Sequence, residues 1–329
     1  AADGSVGFYK ARSHQVVPVT QCLIQKPQAD AAAQALRTYI ASCGVSCYDE
    51  KTRRGLVRHL YIRTNGAGQS LICVVVNGKK LPGEEELVRL LRQAAPETVG
   101  VVLGVNTQPT GAVLGTEYRT LWGADVLTDT LCGLTFRLSV PSFYQVNREM
   151  AERLYARAVE FAGLTGTETV LDLYCGAGTI TQVMARHAGR VIGAEIVPEA
   201  IADAKNNAKI NGIENAEFFV GKSEEVLPEY YEKYAKEHPG EHAHADVIVV
   251  DPPRKGCEEN LLRTMADMQP DRIVYVSCDS ATLARDLKIL QELGYEVKKV
   301  RGVDQFPMTC HVETVVLLSQ LKQKPDVSH

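Results

Sequence analysis

From Thr169 to Gln320 short apolar runs alternate with stretches of helix length, and this alternation constrains the fold more than any other feature of the chain. Thr169–Tyr174, Arg190–Ile196, Ala216–Gly221, Asp246–Asp251 and Arg272–Cys278 are aliphatic or β-branched runs of strand length. Helices are predicted between and after them from near Thr179, Pro198, Ser223, Glu258 and Ala281. Strands that alternate with helices pair in parallel through right-handed crossovers, which gives an α/β, doubly wound, Rossmann-like sheet. Tyr295–Val303 and Val312–Gln320 add two closing strands, and an antiparallel last strand fits that count. Ligands of such a sheet sit outside the carboxyl ends of its strands, so the residues that end these runs are the candidates for chemistry.

The alternation starts after about Pro141, and residues 1–140 read as a smaller α/β domain in front of a 141–329 domain. With 329 residues, 45% of them hydrophobic, the chain can fill two cores. In the front part, Pro27–Ser42 is Ala-rich without an internal breaker and is predicted helical, as is Glu84–Ala94. Leu56–Arg63 and Ser70–Asn77 flank Asn65-Gly66, a strong hairpin signal, and Val99–Asn106 reads as a strand. Residues 1–140 hold 15 Lys and Arg against 11 Asp and Glu, whereas the remainder holds 21 against 29. A basic front on an acidic rear is compatible with nucleic acid lying across the first part. Lys51, Arg53, Arg54, Arg58, His59, Tyr61 and Arg63 lie on the first hairpin strand and its approach, where cations could follow a phosphate backbone. A solvated outer face accounts for them equally well.

No apolar run approaches the roughly 18 residues that span a bilayer, and no signal peptide opens the chain, so a cytoplasmic, monomeric protein is expected. The start at Ala1-Ala2-Asp3, without Met, suggests a fragment of something longer. The nine cysteines form no CxxC pair, which indicates neither a zinc ribbon nor a disulfide framework, and no metal is expected.

Asp172-Leu173-Tyr174-Cys175-Gly176-Ala177-Gly178 has the strand–turn–helix context of a cofactor loop, but it is not GxGxxG, and no phosphate-cradling Lys-Ser/Thr follows. A dinucleotide would want the full fingerprint for its pyrophosphate. S-adenosylmethionine carries no phosphate and suits this shorter acidic turn, with Gly176 and Gly178 letting the backbone approach it. Glu195 ends the next strand, where ribose hydroxyls are gripped in such folds. Asp251-Pro252-Pro253-Arg254 ends the fourth, and two prolines force the chain out of the ladder there. Amino-group methyltransferases place an aromatic residue after a similar Asp-Pro-Pro, and Arg254 in its place argues against an exocyclic amine as target.

Cys278 ends the fifth run. Carbon 5 of a pyrimidine is a poor nucleophile until a thiolate adds at carbon 6, and the carbon-5 proton must afterwards leave to a general base. A strand-end cysteine with the carboxylate of Glu313, at the start of the last strand, meets both needs. A helix start after Asp279-Ser280 is expected to lower the thiol's pKa.

Taken in order, five stretches carry a resemblance. They are Ser142-Phe143-Tyr144-Gln145-Val146-Asn147, Asp172 to Thr179, Asp251 to Gly256, Val276-Ser277-Cys278-Asp279 and Phe306 to Glu313. Residues 141–320 resemble the catalytic domain of the RNA uracil-C5 methyltransferases, which include bacterial tRNA T-loop and large-subunit rRNA enzymes. The resemblance implies Cys278 as nucleophile, Glu313 as base, and Gln145, Tyr174, Glu195 and Asp251 lining the cofactor and base pocket, with Phe143 toward RNA. A glutamine amide also suits uracil's mixed donor and acceptor edge, unless Gln145 merely caps a helix. The wording Phe306-Pro307-Met308-Thr309 and Asp251 to Gly256 is closer to the 23S rRNA enzymes than to the tRNA ones.

Gly7-Phe8-Tyr9-Lys10, Ser13-His14 and Thr20-Gln21-Cys22 resemble the family's central RNA-contacting domain more weakly. The small β-barrel many members carry in front is expected to be missing from this sequence. So are three cysteines that join the Cys22 position in iron–sulfur members, and Cys43 and Cys47 lack the spacing. Lys222 stands where an acid or amide is expected near the adenine. His238, His242 and His244 read as a solvated loop rather than a metal site. Against uracil methylation stand RNA cytosine-C5 methylation, for which Gln145 is the wrong group, and a non-catalytic RNA-folding factor, against which Cys278 and Glu313 count.

Overall fold

The computed structural model describes residues 1–11, 13–226, 228, 230, 236 and 245–321. The chain divides into two compact units, Ala1–Asp129 with Arg137–Pro141, and Thr130–Phe136 with the chain from Ser142 onward. His238, His242 and His244 lie outside the described residues.

In the first unit a short antiparallel pair, β1 (Gly7–Tyr9) and β2 (Val16–Pro18), precedes a four-stranded sheet. Its strands, β3 (Val57–Thr64), β4 (Ser70–Val76), β5 (Thr98–Val105) and β6 (Glu117–Gly123), lie in chain order, with β4 and β5 parallel and the other pairs antiparallel. All seven residues of β4 are buried, because both faces of the sheet are covered. Helices α1 (Pro27–Ser42) and α2 (Glu84–Ala94) cover one face, setting Leu36, Tyr39, Leu87 and Leu91 against Ile72, Val74 and Val101. Both helices have the predicted bounds. The sequence reading did not resolve β1, β2, β6, β7 (Val126–Leu131) or β8 (Leu134–Ser139). The last two meet through Cys132 and Gly133, with φ of 53° and 74°, the left-handed pair of a type I′ turn.

The second unit is the doubly wound sheet. Helix α3 (Arg148–Ala162) leads into β9 (Thr169–Leu173), α4 (Thr179–Ala185), β10 (Arg190–Glu195), α5 (Pro198–Ile210) and β11 (Ala216–Val220). After a described helical turn at 223–226 come β12 (Val247–Val250), α6 (Glu259–Asp267), β13 (Arg272–Ser277), α7 (Ser280–Glu292), β14 (Tyr295–Val303) and β15 (Glu313–Gln320). The sheet order is β11-β10-β9-β12-β13-β15-β14, and β15 runs antiparallel to both of its neighbours. The central strands read as unbroken apolar runs because helices cover both faces. Leu171, Ile248, Ile273, Tyr275 and Val316 form one core cluster with Leu261, Leu262 and Leu290 of α6 and α7. This is the Rossmann-like α/β fold, and it brings the ends of β9, β10, β12 and β13 to one edge of the sheet.

Candidate active site

The turn after β9 alternates left-handed residues: Tyr174, Gly176 and Gly178 have φ of 75°, 54° and 76°. The two glycines serve different ends. A Cβ on Gly178 would come within 2.9 Å of Phe218 and 3.0 Å of Ala204, so its bare backbone lets helix pack on strand. A Cβ on Gly176 would meet nothing within 4 Å, so that glycine opens room at the sheet edge. Tyr174, left-handed despite its side chain, packs its ring on the core, with the phenol beside Cys257.

Asp172 is fully buried and accepts a 2.6 Å hydrogen bond from the Thr181 hydroxyl on Oδ2, while Oδ1 has no partner among the described residues. Burial, then the Glu195 carboxylate, push it up to about 7 against the pull of the Thr181 hydroxyl. Glu195 ends β10 and accepts from the Gly176 N–H at 3.2 Å and the Val197 N–H at 3.0 Å. It thereby ties the turn after β9 to the end of the next strand and keeps free lone pairs on both oxygens. An open glycine, a buried acid with an idle oxygen and a strand-end carboxylate are what the sulfonium donor's ammonium and ribose groups require.

Asp251 follows β12, and desolvation and the carboxylates of Glu313 and Asp172 hold it well above the usual carboxylate range. The loop after it is clamped by α7. Thr282 Oγ1 donates to the Arg254 carbonyl at 3.1 Å, Arg285 to the Lys255 carbonyl at 2.9 Å, and the Cys257 N–H to Asp286 Oδ2 at 2.8 Å. Tyr275 also donates to that buried Asp286 oxygen at 2.6 Å. Gly256, at φ 75°, has no space for a Cβ, which would stand 2.5 Å from the same oxygen.

Cys278 is the residue after β13 and is half-buried. The antiparallel register ends on Ser277 paired with Thr314, the residues next to Cys278 and Glu313, and the Glu313 carboxylate acts on the thiol. Asp279 caps α7, accepting from the N–H groups of Ala281 and Thr282 at 3.0 Å each. The expected lowering of the thiol's pKa is not found. Burial, then Glu313 and Asp251, push it up, and Arg254 pulls it only partly back. The helix terminus that should have helped is already occupied by the Asp279 carboxylate. Glu313 is buried, one of its oxygens has no partner among the described residues, and burial pushes it up to about 7 against the pull of Arg254. Arg254 lies 3.5 Å from His311 Nε2. A thiol and a raised carboxylate around one guanidinium can add to an electrophilic carbon and then take a proton from its neighbour.

Gln145 is buried and does not cap α3; Asn147 does, accepting from the Met150 N–H. Gln145 Oε1 instead accepts from Gln305 Nε2 at 3.2 Å, which joins the loop before α3 to the loop before β15. Phe143, Val146 and Met308 on these two loops are 68%, 82% and 93% exposed, an apolar rim. Arg254, His311 and Gln305 were missed as site residues. The first two lie inside stretches that carry the resemblance and Gln305 directly precedes one, but only the folded chain shows Arg254 acting on Cys278 and Gln305 bonded to Gln145. Lys222 faces Glu225 at 3.6 Å in a half-exposed ion pair.

In the first unit, Arg53 and Arg54 are exposed, and their guanidinium groups make no hydrogen bond or ion pair among the described residues. Arg58 corrects the expectation of a continuous basic face. Its side chain is fully buried over the Tyr48 ring and donates to the carbonyls of Asn106, Gln108 and Thr110 at 2.8, 2.8 and 3.1 Å. Arg63 is likewise buried and donates to the Tyr61 hydroxyl at 2.8 Å. Desolvation, then Arg58, push His59 down to about 4, so it is neutral near pH 7. These strand residues hold the unit together and carry no cation to the surface.

Comparison with known proteins gives one answer at three levels. Residues 122–321 match the model of the tRNA (uracil-5-)-methyltransferase family. An uncharacterised RNA methyltransferase of Clostridium tetani is 46% identical over 321 residues, which span 97% of this chain and 68% of that protein. One of Halalkalibacterium halodurans is 44% identical over 313 residues, 95% of this chain and 67% of that protein. The crystal structure of Pyrococcus abyssi tRNA (uracil-54, C5)-methyltransferase with S-adenosyl-L-homocysteine superposes with a TM-score of 0.75 at 25% identity, over 95% of this chain and 72% of that one. No described helix is long and apolar enough to cross a membrane. The chain therefore belongs to the tRNA (uracil-5-)-methyltransferase family, S-adenosylmethionine-dependent enzymes that methylate uracil in RNA.

Proposed function

We propose that this enzyme methylates carbon 5 of a uridine in 23S rRNA, with Cys278 as nucleophile and Glu313 as base. The observation that supports the reading is that the thiol following β13 feels the carboxylate of Glu313, a buried acid with an idle oxygen at the start of the neighbouring β15. Cys278 gives up its proton to solvent, and its sulfur bonds carbon 6 of the flipped base, moving the electron pair of the ring double bond to carbon 5. Bound S-adenosyl-L-methionine supplies the methyl group that carbon 5 takes. The Glu313 carboxylate removes the carbon-5 proton, the ring double bond re-forms and the carbon–sulfur bond breaks, returning the thiolate. Arg254 offsets negative charge on both residues in turn.

In this reading Gly176, Gly178 and Tyr174 shape the turn that receives the donor, Glu195 grips its ribose, and Asp251 faces its reactive end. Exposed Ile196 and Val197 give the adenine an apolar floor. Gln145 reads the base edge, Phe143 stacks on RNA, and Arg53 and Arg54 take phosphates, whereas Arg58 has no part in RNA contact. The enzyme acts as a monomer in the cytoplasm. A tRNA T-loop uridine is the second reading, favoured by the likeness to the Pyrococcus enzyme. Mass-spectrometric mapping of 5-methyluridine in rRNA and tRNA from a deletion strain decides between them. Loss from a 23S position supports the first reading, loss from tRNA alone the second, and an unchanged map sinks both. Charge reversal at Arg53 and Arg54 together should lower the salt slope of RNA binding by about two phosphate contacts; an unaltered slope removes them from the interface.

A further inference from the structure

The loop pair that holds Gln145 has a hydrogen-bond polarity that can be read without ambiguity, because it ends on backbone groups that cannot change roles. The Asn147 carbonyl can only accept, so the Gln305 group that approaches it at 3.2 Å is the N–H2. A second proton of that same N–H2 meets Gln145 at 3.2 Å, so the Gln145 atom there is the oxygen. Asn147 is pinned in the same manner, its Oδ1 on the Met150 N–H at 3.4 Å and its Nδ2 on the Gln305 carbonyl at 3.3 Å. Flipping any one amide would set donor against donor or acceptor against acceptor in a buried contact.

Gln305 is 1% exposed, and its own Oε1 has no partner among the described residues. An amide that served only to join the loops would leave no buried carbonyl idle. Unsatisfied buried groups in native proteins concentrate where something other than stability is served. Here Gln305 spends both donors, one of them on Gln145 Oε1, so the Gln145 N–H2 is turned away from this contact and has no partner among the described residues.

We infer that Gln305 is a positioning residue that fixes the flip state of the Gln145 carboxamide. The enzyme then presents a hydrogen-bond donor to position 4 of the target pyrimidine and so selects uracil over cytosine. Uracil carries a carbonyl oxygen at position 4, which accepts from the Gln145 N–H2. Cytosine carries an amine there and would oppose donor to donor. A freely rotating Gln145 could serve either base, so selectivity resides in the pair of glutamines rather than in Gln145 alone. The inference rests on the reading above that Gln145 faces the base.

The test compares synthetic RNA hairpins of the mapped target that carry uridine or 4-thiouridine at the modified position. Sulfur accepts hydrogen bonds weakly, so the ratio of kcat/KM on the two hairpins reports the contact at position 4, and a ratio is insensitive to the fraction of enzyme folded. The native enzyme should favour uridine by about tenfold, the worth of one such bond to a preorganised donor. Gln305→Met, close in volume and without donors, should bring the ratio toward parity while leaving thermal stability unchanged, and Gln145→Leu should do the same to the ratio. If Gln145→Leu abolishes the preference and Gln305→Met retains it, the positioning role is overturned and the base contact stands. If Gln145→Leu retains the preference, the base-facing reading of Gln145 falls, and the inference falls with it. Should Gln305→Met show no turnover, the ratio of equilibrium affinities for the two hairpins, in that variant and in Gln305→Glu, reads the same contact and overturns the role if it stays at the native value.

Discussion

Glu168 and Asp172 stand at the two ends of β9, both out of solvent, and their carboxyl groups meet opposite conditions. At the amino end, Glu168 accepts from the N–H and hydroxyl of Thr165 at 2.8 Å each and from the N–H groups of Gly166 and Thr167 at 3.1 and 3.3 Å. Burial alone would raise it, yet these donors take it down to about 2. At the carboxyl end, Asp172 has one hydroxyl, an idle oxygen and a carboxyl pushed up to about 7. Glu313, on the same sheet edge, shares the idle oxygen and the raised value. The sheet thus closes its amino edge with a satisfied acid and leaves the acids of its ligand edge short of partners. Acids left short of donors are the ones poised to exchange a proton or receive a ligand.

That contrast breaks most sharply at the proposed catalytic pair, Cys278 and Glu313. Cys278→Ala should abolish turnover and any covalent adduct with RNA carrying 5-fluorouridine at the target. Glu313→Gln should lower turnover by roughly 10²–10⁴-fold and let a covalent enzyme–RNA intermediate accumulate, because only proton removal is blocked. Denaturing gels of each variant with labelled RNA read both outcomes, and normal product release by Glu313→Gln would strip that acid of its role. Glu168→Gln, by contrast, should leave kcat within about twofold, since it touches no reacting atom.

The pH profile sharpens the same point. Glu313 must be ionised to accept a proton, and with its carboxyl at about 7 the native rate should fall about tenfold per pH unit below that value. The residual rate of Glu313→Gln should lack this limb, and a limb that persists there belongs to another group, with Cys278 the first to examine.

The chain's architecture was legible because periodicity reports burial. The buried parallel strands are unbroken apolar runs, and α1 and α2 begin and end at sequence breaks. Strand β6, Glu-Tyr-Arg-Thr-Leu-Trp-Gly, buries none of its residues fully and carries no such pattern. Cys278, Glu313 and the glycine turn could be found because each ends or begins a strand. Arg58 could not, since the carbonyls that bury it come from a loop some fifty residues away. The Gln145–Gln305 contact bridges still more of the chain, and nothing local marks it. Sequence gives the strand-end chemistry, and tertiary hydrogen bonds decide which polar residues are spent inside.

Away from catalysis, the two ends of β9 should separate in stability. Glu168→Gln removes charge-assisted bonds to several donors and should cost about 1–3 kcal/mol, read as a lower midpoint in urea. Its folded carboxyl lies at about 2 against an ordinary 4.5, so its contribution is present above pH 4.5 and is lost as pH falls toward 2. Asp172 responds to pH in the opposite sense. Its folded carboxyl, at about 7 against 3.8, keeps a proton that the unfolded chain gives up, so stability from this group is full below pH 3.8 and is lost as pH rises through 7. Asp172→Asn keeps an oxygen for Thr181 and cannot ionise. It should match the native enzyme near pH 4 and be the more stable of the two near pH 8, while S-adenosylmethionine binds more weakly near pH 8. A variant destabilised equally at the two pH values would mean that Asp172 is ionised and well partnered in the fold, and the contrast between the two ends of β9 would be lost.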